Sequence, residues 1–491
     1  MYIFEPISTE DILRRLSRNC RLRRLEKNLS QKSLSETSGV PLSTIQRFEH
    51  IGEISLASFV KIARVLGYAE DMMELIGKPK YSSLDEMVRI NKNRNRKRGT
   101  DGRFETLKVM YHDRLVGQLT MGINDTCLFQ YCNEWLHTGF SISPLKLPLK
   151  GDLFEAPYLP FQGNFGVFED CMPGGYGEYV LQKELNKEGI NYQSLTPLQK
   201  LSIVGSSGMG ALCYIPDNKI TIPSKFKDLD KIQQAALDIL SGKTDKNAGR
   251  LYVDSGNSGG VRPKILLQEN GSHWIVKFRH LNDPIESGKI EYMYSHAAKE
   301  AGIIVPRFKL FNDRYFGVER FDLSPDGERI HMVTASGLLD EGINPPKMDY
   351  KTLLALTGYI TQDHIEVEQQ FRRMVFNYYA ENFDDHARNF SFLYVDGKWK
   401  LSPAYDMTHD SPLGQHATSV GYKANPTEKD FIEAGSSVQM SHKLCSDIID
   451  EVKPIGQLLL AKLKENDYSI VEGNERQTKE DLNTGRVGFK R

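Results

Sequence analysis

Between residues 382 and 408 the sequence runs NFDDHARNFSFLYVDGKWKLSPAYDMT, and three of its polar residues stand at spacings that suit one chemistry. Asp384 precedes Asn389 by five residues, and Asp406 follows Asn389 by seventeen. Phosphoryl transfer from ATP needs a carboxylate to orient the attacking hydroxyl, and carboxylate and amide oxygens to carry one or two Mg2+. Protein kinases place the base Asp and a Mg2+-binding Asn five residues apart on one loop, with a second metal-binding Asp on a later strand and turn. Asp385 stands only four residues before Asn389, so the spacing selects Asp384 as base, with Asn389 and Asp406 as metal ligands. A lone Asp-x4-Asn recurs by chance. What strengthens it is the readable hairpin between Asn389 and Asp406: strand SFLYV, turn Asp396-Gly397, strand KWKLSPA. The bland alternative makes Asp384 a helix cap, Asn389 a turn residue and Asp406 a loop acid. His386 and His409 have no third His or thiolate nearby in sequence, so hydrogen bonding in the loop is expected of them, not metal ligation.

The phosphates also need a cation, and two lysines upstream compete for that role. Lys264 closes DSGNSGGVRPK, where Ser258, Gly259 and Gly260 offer backbone N–H groups able to form an anion nest. Lys277 lies in the alternating strand HWIVKFRH, and Glu291 opens the helical stretch EYMYSHAAKEAGI that follows. Strand lysine followed by helix glutamate is the kinase order, so Lys277 and Glu291 are preferred; a surface salt bridge has the same look. GSSGMG at 205–210 lacks the Lys-Ser/Thr of a phosphate-binding P-loop and reads as a turn with close backbone packing.

These residues require a sizeable body to hold them. The chain has 491 residues, 40% hydrophobic and 26% charged, with a formal net charge of −1, ordinary for a globular protein of several domains. Six scattered cysteines without CxxC pairs, no signal-like start and no apolar run of about 18 residues point to a reduced, cytoplasmic protein without a membrane span. The charge is uneven: residues 1–100 hold 19 Lys and Arg against 12 Asp and Glu, leaving the rest net acidic. A basic front end fits a nucleic-acid partner, and a solvated basic helix face fits the charge equally well.

Residues 10–78 show apolar spacing for short helices broken by Gly39, Gly52 and Gly67. In SQKSLSETSGVPLSTIQRFE, Leu34, Val40, Ile45 and Phe48 would face inward. Ser43, Thr44, Gln46 and Arg47 would then face outward, with Gln31 at the start of the preceding helix, as candidate DNA contacts. The segment resembles the helix-turn-helix of the Cro/repressor (XRE) family.

The remaining motifs resemble the HipA family of bacterial toxin kinases over roughly residues 105–440. They are PGGYGEYVL (173–181), GMGALCYIP (208–216), GGVRPK (259–264), WIVK ending at Lys277, VERFD (318–322), NFDDHARNF (382–390) and SPAYDMT (402–408). The resemblance implies a Ser/Thr protein kinase fold using ATP and Mg2+, with Asp384 as base, Asn389 and Asp406 as metal ligands, and Lys277 on ATP. Lys264, Ser258, Gly259, Gly260, Glu291 and His386 complete the implied ATP site, with Val333 and Ala335 of HMVTAS as the adenine hinge. It further implies self-silencing by autophosphorylation in the Gly-rich loop, where Ser255 and Ser258 are the candidates. Its members usually pair with a separate HipB-type antitoxin; here a HipB-like domain precedes the kinase in the same chain, with a separate antitoxin as a further partner.

The expected architecture is therefore an all-α helix-turn-helix domain followed by an α+β protein-kinase-like fold with a mainly helical C-terminal lobe. The boundaries read as 1–80 helix-turn-helix, 81–103 basic linker and 104–245 N-terminal subdomain. They continue as 246–340 kinase N-lobe, 341–470 helical C-lobe and 471–491 tail without apolar periodicity. Operator DNA, a homodimer and a protein substrate (by analogy an aminoacyl-tRNA synthetase or translation factor) are the expected partners. The alternatives are a DNA-binding regulator with a silent kinase-like domain, or a small-molecule phosphotransferase.

Overall fold

The computed structural model describes residues 8–75, 106–122, 125–222, 228–244, 246–256, 259–409, 414–423 and 425–466. The expected linker, the tail and Ser258 lie outside these. The chain divides into two compact units, Met1–Tyr81 and Ser82–Arg491.

The first unit is a bundle of α1 (Thr9–Glu26), α2 (Gln31–Ser38), α3 (Leu42–Ile51), α4 (Leu56–Leu66) and α5 (Ala69–Glu74). Ser8, Ser30 and Ser55 cap the N-termini of α1, α2 and α4 with their hydroxyls. Gly39, Gly52 and Gly67 end α2, α3 and α4 with φ of 66°, 84° and 90°, a backbone region glycine enters without a Cβ penalty. Leu34, Val40, Ile45, Phe48, Ile62 and Leu66 form the core. Under it Arg24 makes a two-pronged bond to Glu49 (2.7 and 2.8 Å), donates to the Leu29 carbonyl, and shares Glu49 with Gln31. Burial pushes the Glu49 carboxyl up, but Arg24 and Gln31 outweigh it and hold the pKa below its ordinary value. Glu49→Ala is expected to destabilise this unit by about 3 kcal/mol, since Arg24 would stay buried unpaired. The contribution of Glu49 is complete above about pH 4.3 and is lost as pH falls through the lowered folded value. Calorimetry at pH 7 and pH 3.5 checks both statements.

In the second unit, β1 (Leu107–Tyr111), β2 (Arg114–Met121), β3 (Cys127–Tyr131), β4 (Phe154–Glu155) and β5 (Leu212–Ile215) form a sheet in the order β4-β3-β2-β1-β5. A second sheet, β6-β7-β9-β8, is built from β6 (Lys264–Glu269), β7 (Ser272–Lys277), β8 (Phe308–Phe311) and β9 (Tyr315–Glu319). The helix Ser287–Glu300 lies in sequence between β7 and β8. A third sheet joins β10 (His331–Thr334) to the hairpin β11 (Ser391–Val395) and β12 (Lys398–Leu401). Beyond residue 350 the long elements are helices, Tyr350–Thr361, His364–Tyr379, Glu428–Ser436 and His442–Glu465. This is the mainly helical lobe expected from the sequence.

Asp396 and Gly397 turn the β11–β12 hairpin with φ of 51° and 77°, the left-handed pair its tight loop needs. Its second strand is shorter than the sequence suggested: after Leu401 only Ser402 N bonds back, to Ser391 O, and Pro403 has no N–H to continue. Among the described residues one hydrophobic core runs from Leu107 and Phe129 through Val333 and Phe392 to Phe376 and Leu463. It welds the five-stranded sheet to the helical lobe, whereas the buried residues of β6–β9 are not part of it.

Candidate active site

The centre of the site is a largely buried charge cluster that three separate segments build. Lys277 ends β7, Glu291 lies on the first turns of helix Ser287–Glu300, and Asp406 follows the β11–β12 hairpin. The Lys277 ammonium contacts both carboxylates; Lys277 and Glu291 are buried, while the Asp406 side chain keeps 30% of its surface exposed. Burial alone would lower the Lys277 pKa, but the two carboxylates outweigh it and the net direction is up. Burial likewise pushes Asp406 up, while Lys277 and Lys264 pull it well below the usual carboxylate range. Asp406 also holds φ 53°, an uncommon conformation for a side chain with a Cβ, which aims the carboxylate from a sharp turn.

Lys264 stands directly across the ladder from Lys277 on β6. It is buried, burial lowers its pKa to about 8, and its ammonium donates to the Gly259 carbonyl. Both lysines that competed in the sequence thus enter one electrostatic cluster, with Lys277 carrying the direct carboxylate contacts.

The catalytic-loop segment approaches from the other side. Asn389 donates its amide nitrogen to the Asp384 carbonyl at 2.7 Å, closing the five-residue span into a loop. The two neighbouring acids have opposite surroundings. Asp384 keeps a side chain 47% exposed, 3.7 Å from His386 Nε2. Asp385 is buried and bonded to Tyr350 OH (2.8 Å), His416 Nδ1 (3.1 Å) and Thr418 N (3.1 Å). His386 is largely buried, which lowers its pKa, and its charge is felt at Asp406. Its Nδ1 is buried without a hydrogen-bond partner, and its Nε2 is the nitrogen that faces Asp384.

Three further expectations are corrected. Val333 and Ala335 are fully buried, and the backbone around them is committed: Val333 pairs with Phe392 on β11, Thr334 N donates to Asp170 and Ala335 N to Phe390 O. An adenine edge finds no N–H there. The segment leaving the Lys277 sheet is instead Glu319–Asp322, where Phe321 leans on Tyr405 with ring centroids 5.3 Å apart. VERFD was legible as a motif, and its place after the fourth strand of that sheet was the signal that could have marked it. Gln31 is half-buried and donates its amide to Glu49 at 2.8 Å, so that amide is committed within the domain rather than free for DNA. Ser255 is buried with its hydroxyl donated to Tyr252 O at 2.7 Å, so it is not presented for modification in this conformation.

GSSGMG is a turn of opposite polarity to a phosphate cradle. The carbonyls of Ser206, Gly208 and Gly210 converge on the Arg329 guanidinium, and Gly210 N donates to Asp322. In the first unit, Ser43, Gln46 and Arg47 are exposed on α3 and Thr44 is half-buried, with Arg47 paired to Glu53.

A helix-turn-helix unit ahead of a strand-lysine, helix-glutamate sheet and a helical lobe with a D-x4-N loop defines a kinase-like fold with a DNA-binding-type module. Family models agree: residues 107–215 match the HipA N-terminal domain, 256–457 the HipA-like C-terminal domain and 21–72 a helix-turn-helix. The two HipA models together span more than half of the chain, and the protein belongs to the HipA family.

Among curated relatives, a Haemophilus influenzae protein provisionally named a kinase is 23% identical over 316 residues, covering 54% of this chain and 88% of the relative. The serine/threonine-protein kinase toxin HipA of Shewanella oneidensis is 21% identical over 342 residues, covering 62% and 74%. A solved complex of Shewanella oneidensis HipA with HipB and its operator DNA contains a chain of the same fold, with TM-score 0.55 and 17% identity over 73% of this chain and 91% of that one.

Proposed function

We propose that this protein transfers the γ-phosphoryl group of ATP to a serine or threonine of a protein, and binds operator DNA through its front domain. The single observation carrying the first part is the Lys277–Glu291–Asp406 cluster set against the Asp384–Asn389 loop. In that reading Lys277 holds the ATP phosphates and Glu291 holds Lys277. Asp384, exposed beside the cluster, accepts the proton of the incoming hydroxyl, and Glu319–Phe321 meets the adenine.

The Asn389 carbonyl oxygen and the ionised Asp406 are hard oxygen donors, the type Mg2+ takes alongside substrate phosphates. No group of three or more acids, His or Cys among the described residues could hold a metal alone, consistent with a cation that arrives with the nucleotide. Bound there, Mg2+ would neutralise charge on the phosphate oxygens.

The test is labelled ATP with cell extract: a phosphoprotein band is expected with wild type and not with Asp406→Asn. Bands with neither protein, while wild type still binds ATP and DNA, would favour a regulator with a silent kinase domain.

Autophosphorylation of the Gly-rich loop is part of the proposal, and intact-mass spectrometry after ATP incubation reads it. The relative named a serine/threonine-protein kinase toxin supports a protein substrate, and the habit of helix-turn-helix proteins to bind palindromes as dimers supports a homodimer. For DNA, Arg47→Ala is expected to weaken binding and lower the salt-dependence slope by about 1 if Arg47 meets a phosphate. Gel shifts with the protein's own promoter at two salt concentrations measure it.

A further inference from the structure

We propose that residues 166–176 form a strut between the two lobes of the kinase fold, holding the Gly-rich loop over the catalytic loop, with Glu169 and Gly174 as positioning residues. The inference rests on the kinase reading above for its effect on catalysis, and on geometry alone for the strut itself.

One end of the segment is fastened to β10, which pairs with the β11–β12 hairpin, and to the turn that follows it. Gly166 N donates to Asp340 at 2.9 Å, and a Cβ on Gly166 would lie 2.5 Å from the Gly337 carbonyl oxygen. Asp170 is half-buried and accepts from both the backbone N–H (2.7 Å) and the hydroxyl (2.8 Å) of Thr334. Glu169, itself held by Asn164 at 3.1 Å, stands 3.7 Å from Arg388. Arg388 belongs to the catalytic loop: it immediately precedes Asn389, and its carbonyl accepts from Tyr405, the neighbour of Asp406.

The other end meets the Gly-rich loop. Tyr176 N donates to the Gly260 carbonyl at 3.2 Å. A Cβ on Gly174 would lie 2.9 Å from Gly260 N, and one on Gly175 would lie 2.7 Å from Val261 Cγ1. These approaches leave no room for a methyl group, so PGGYG brings backbone against backbone. Between the ends, Cys171 and Met172 are buried in the core shared with the helical lobe.

The shared core gives the strut its direction. Residues 166–172 pack in the core of the helical lobe, as does the far half of helix Ser287–Glu300, while the strands carrying Lys264 and Lys277, and with them the Gly-rich loop, lie outside that core among the described residues. A loop that contacts ATP phosphates must stand at a fixed height above the metal-binding residues. Here that height is set by a rigid piece of the N-terminal subdomain, and small misplacements cost rate out of proportion to their size.

The experiment uses the full chain and two readouts. Gly174→Ala is expected to speed amide exchange across residues 259–264 without nucleotide, and to raise the KM for ATP about tenfold with a smaller change in kcat. Glu169→Gln, which changes no volume, is expected to lower kcat about tenfold while leaving exchange at 259–264 and the KM for ATP unchanged. Unchanged exchange in Gly174→Ala overturns the strut. Faster exchange in a protein that shows no ATP turnover in any form sustains the strut and removes the kinase reading. Should Gly174→Ala unfold, Glu169→Gln decides alone: wild-type kcat overturns the proposal.

Discussion

Under the proposed kinase reading, Asp384→Ala is expected to lower phosphoryl transfer by about 10³-fold while leaving ATP binding and folding intact, whereas Asp385→Ala is expected to lower folding stability by about 3–5 kcal/mol. The two residues are neighbours with the same functional group, and only their surroundings separate them. The Asp384 carboxylate is half-exposed, so water can take its place beside the groups around it. Under the proposed kinase reading, a base lost from an otherwise intact site costs the proton-transfer contribution alone, since Lys277 and Asp406 would still hold phosphates and cation. Asp385 is 1% exposed and accepts from Tyr350, His416 and the Thr418 backbone. Truncating it leaves those donors buried without an acceptor and releases the 414–420 segment from the catalytic loop. Thermal unfolding and labelled-ATP turnover of both variants provide the check. Near-wild-type turnover in Asp384→Ala, at unchanged stability, would remove it as base.

Much of this site was legible because its signals are local. The five-residue spacing in NFDDHARNF, the Asp-Gly turn and the alternating HWIVK strand are all set by short-range geometry, and each element formed where the pattern placed it. The choice between Lys264 and Lys277 was not local. The two are cross-strand partners, so both reach the cluster, and only the helix carrying Glu291 and the turn carrying Asp406 tell them apart.

The adenine segment failed for a similar reason. HMVTAS reads as an apolar strand, and a strand of that kind is equally at home in a buried sheet with every N–H spent. Gln31 has a polar side chain on a surface helix, yet an arginine-bound glutamate from α3 claims it. The strut was invisible, since a Gly-Gly pair states that something comes close without saying what.

Lys277→Met is expected to destabilise the second unit by about 3–5 kcal/mol and to abolish ATP binding, an effect far larger than that of Lys264→Met. Lys277 is the counter-ion of two carboxylates, and its loss leaves Glu291 without its ammonium partner and Asp406 with Lys264 and His386 acting only at longer range. Lys264 is in the reverse situation. Its pKa is depressed to about 8 by burial, so the fold disfavours its charge, and removing that charge relieves a cost at pH 7. The cross-strand pair therefore carries opposite signs.

The pH dependence of the Lys277→Met deficit follows from the direction of the Asp406 shift. A carboxylate held below its ordinary pKa stabilises the fold above about pH 4 and loses that contribution as pH falls through the folded value. Without Lys277 that pKa climbs back, so wild type and variant differ most at neutral pH and converge in acid. Lys277→Arg does not rescue, because a planar fork cannot replace a compact ammonium between two carboxylates without moving one of them. Unfolding curves of the three variants at pH 7 and pH 4, with nucleotide-binding calorimetry at pH 7, measure the whole set. Equal deficits for Lys277→Met and Lys264→Met would reverse the assignment of the two lysines.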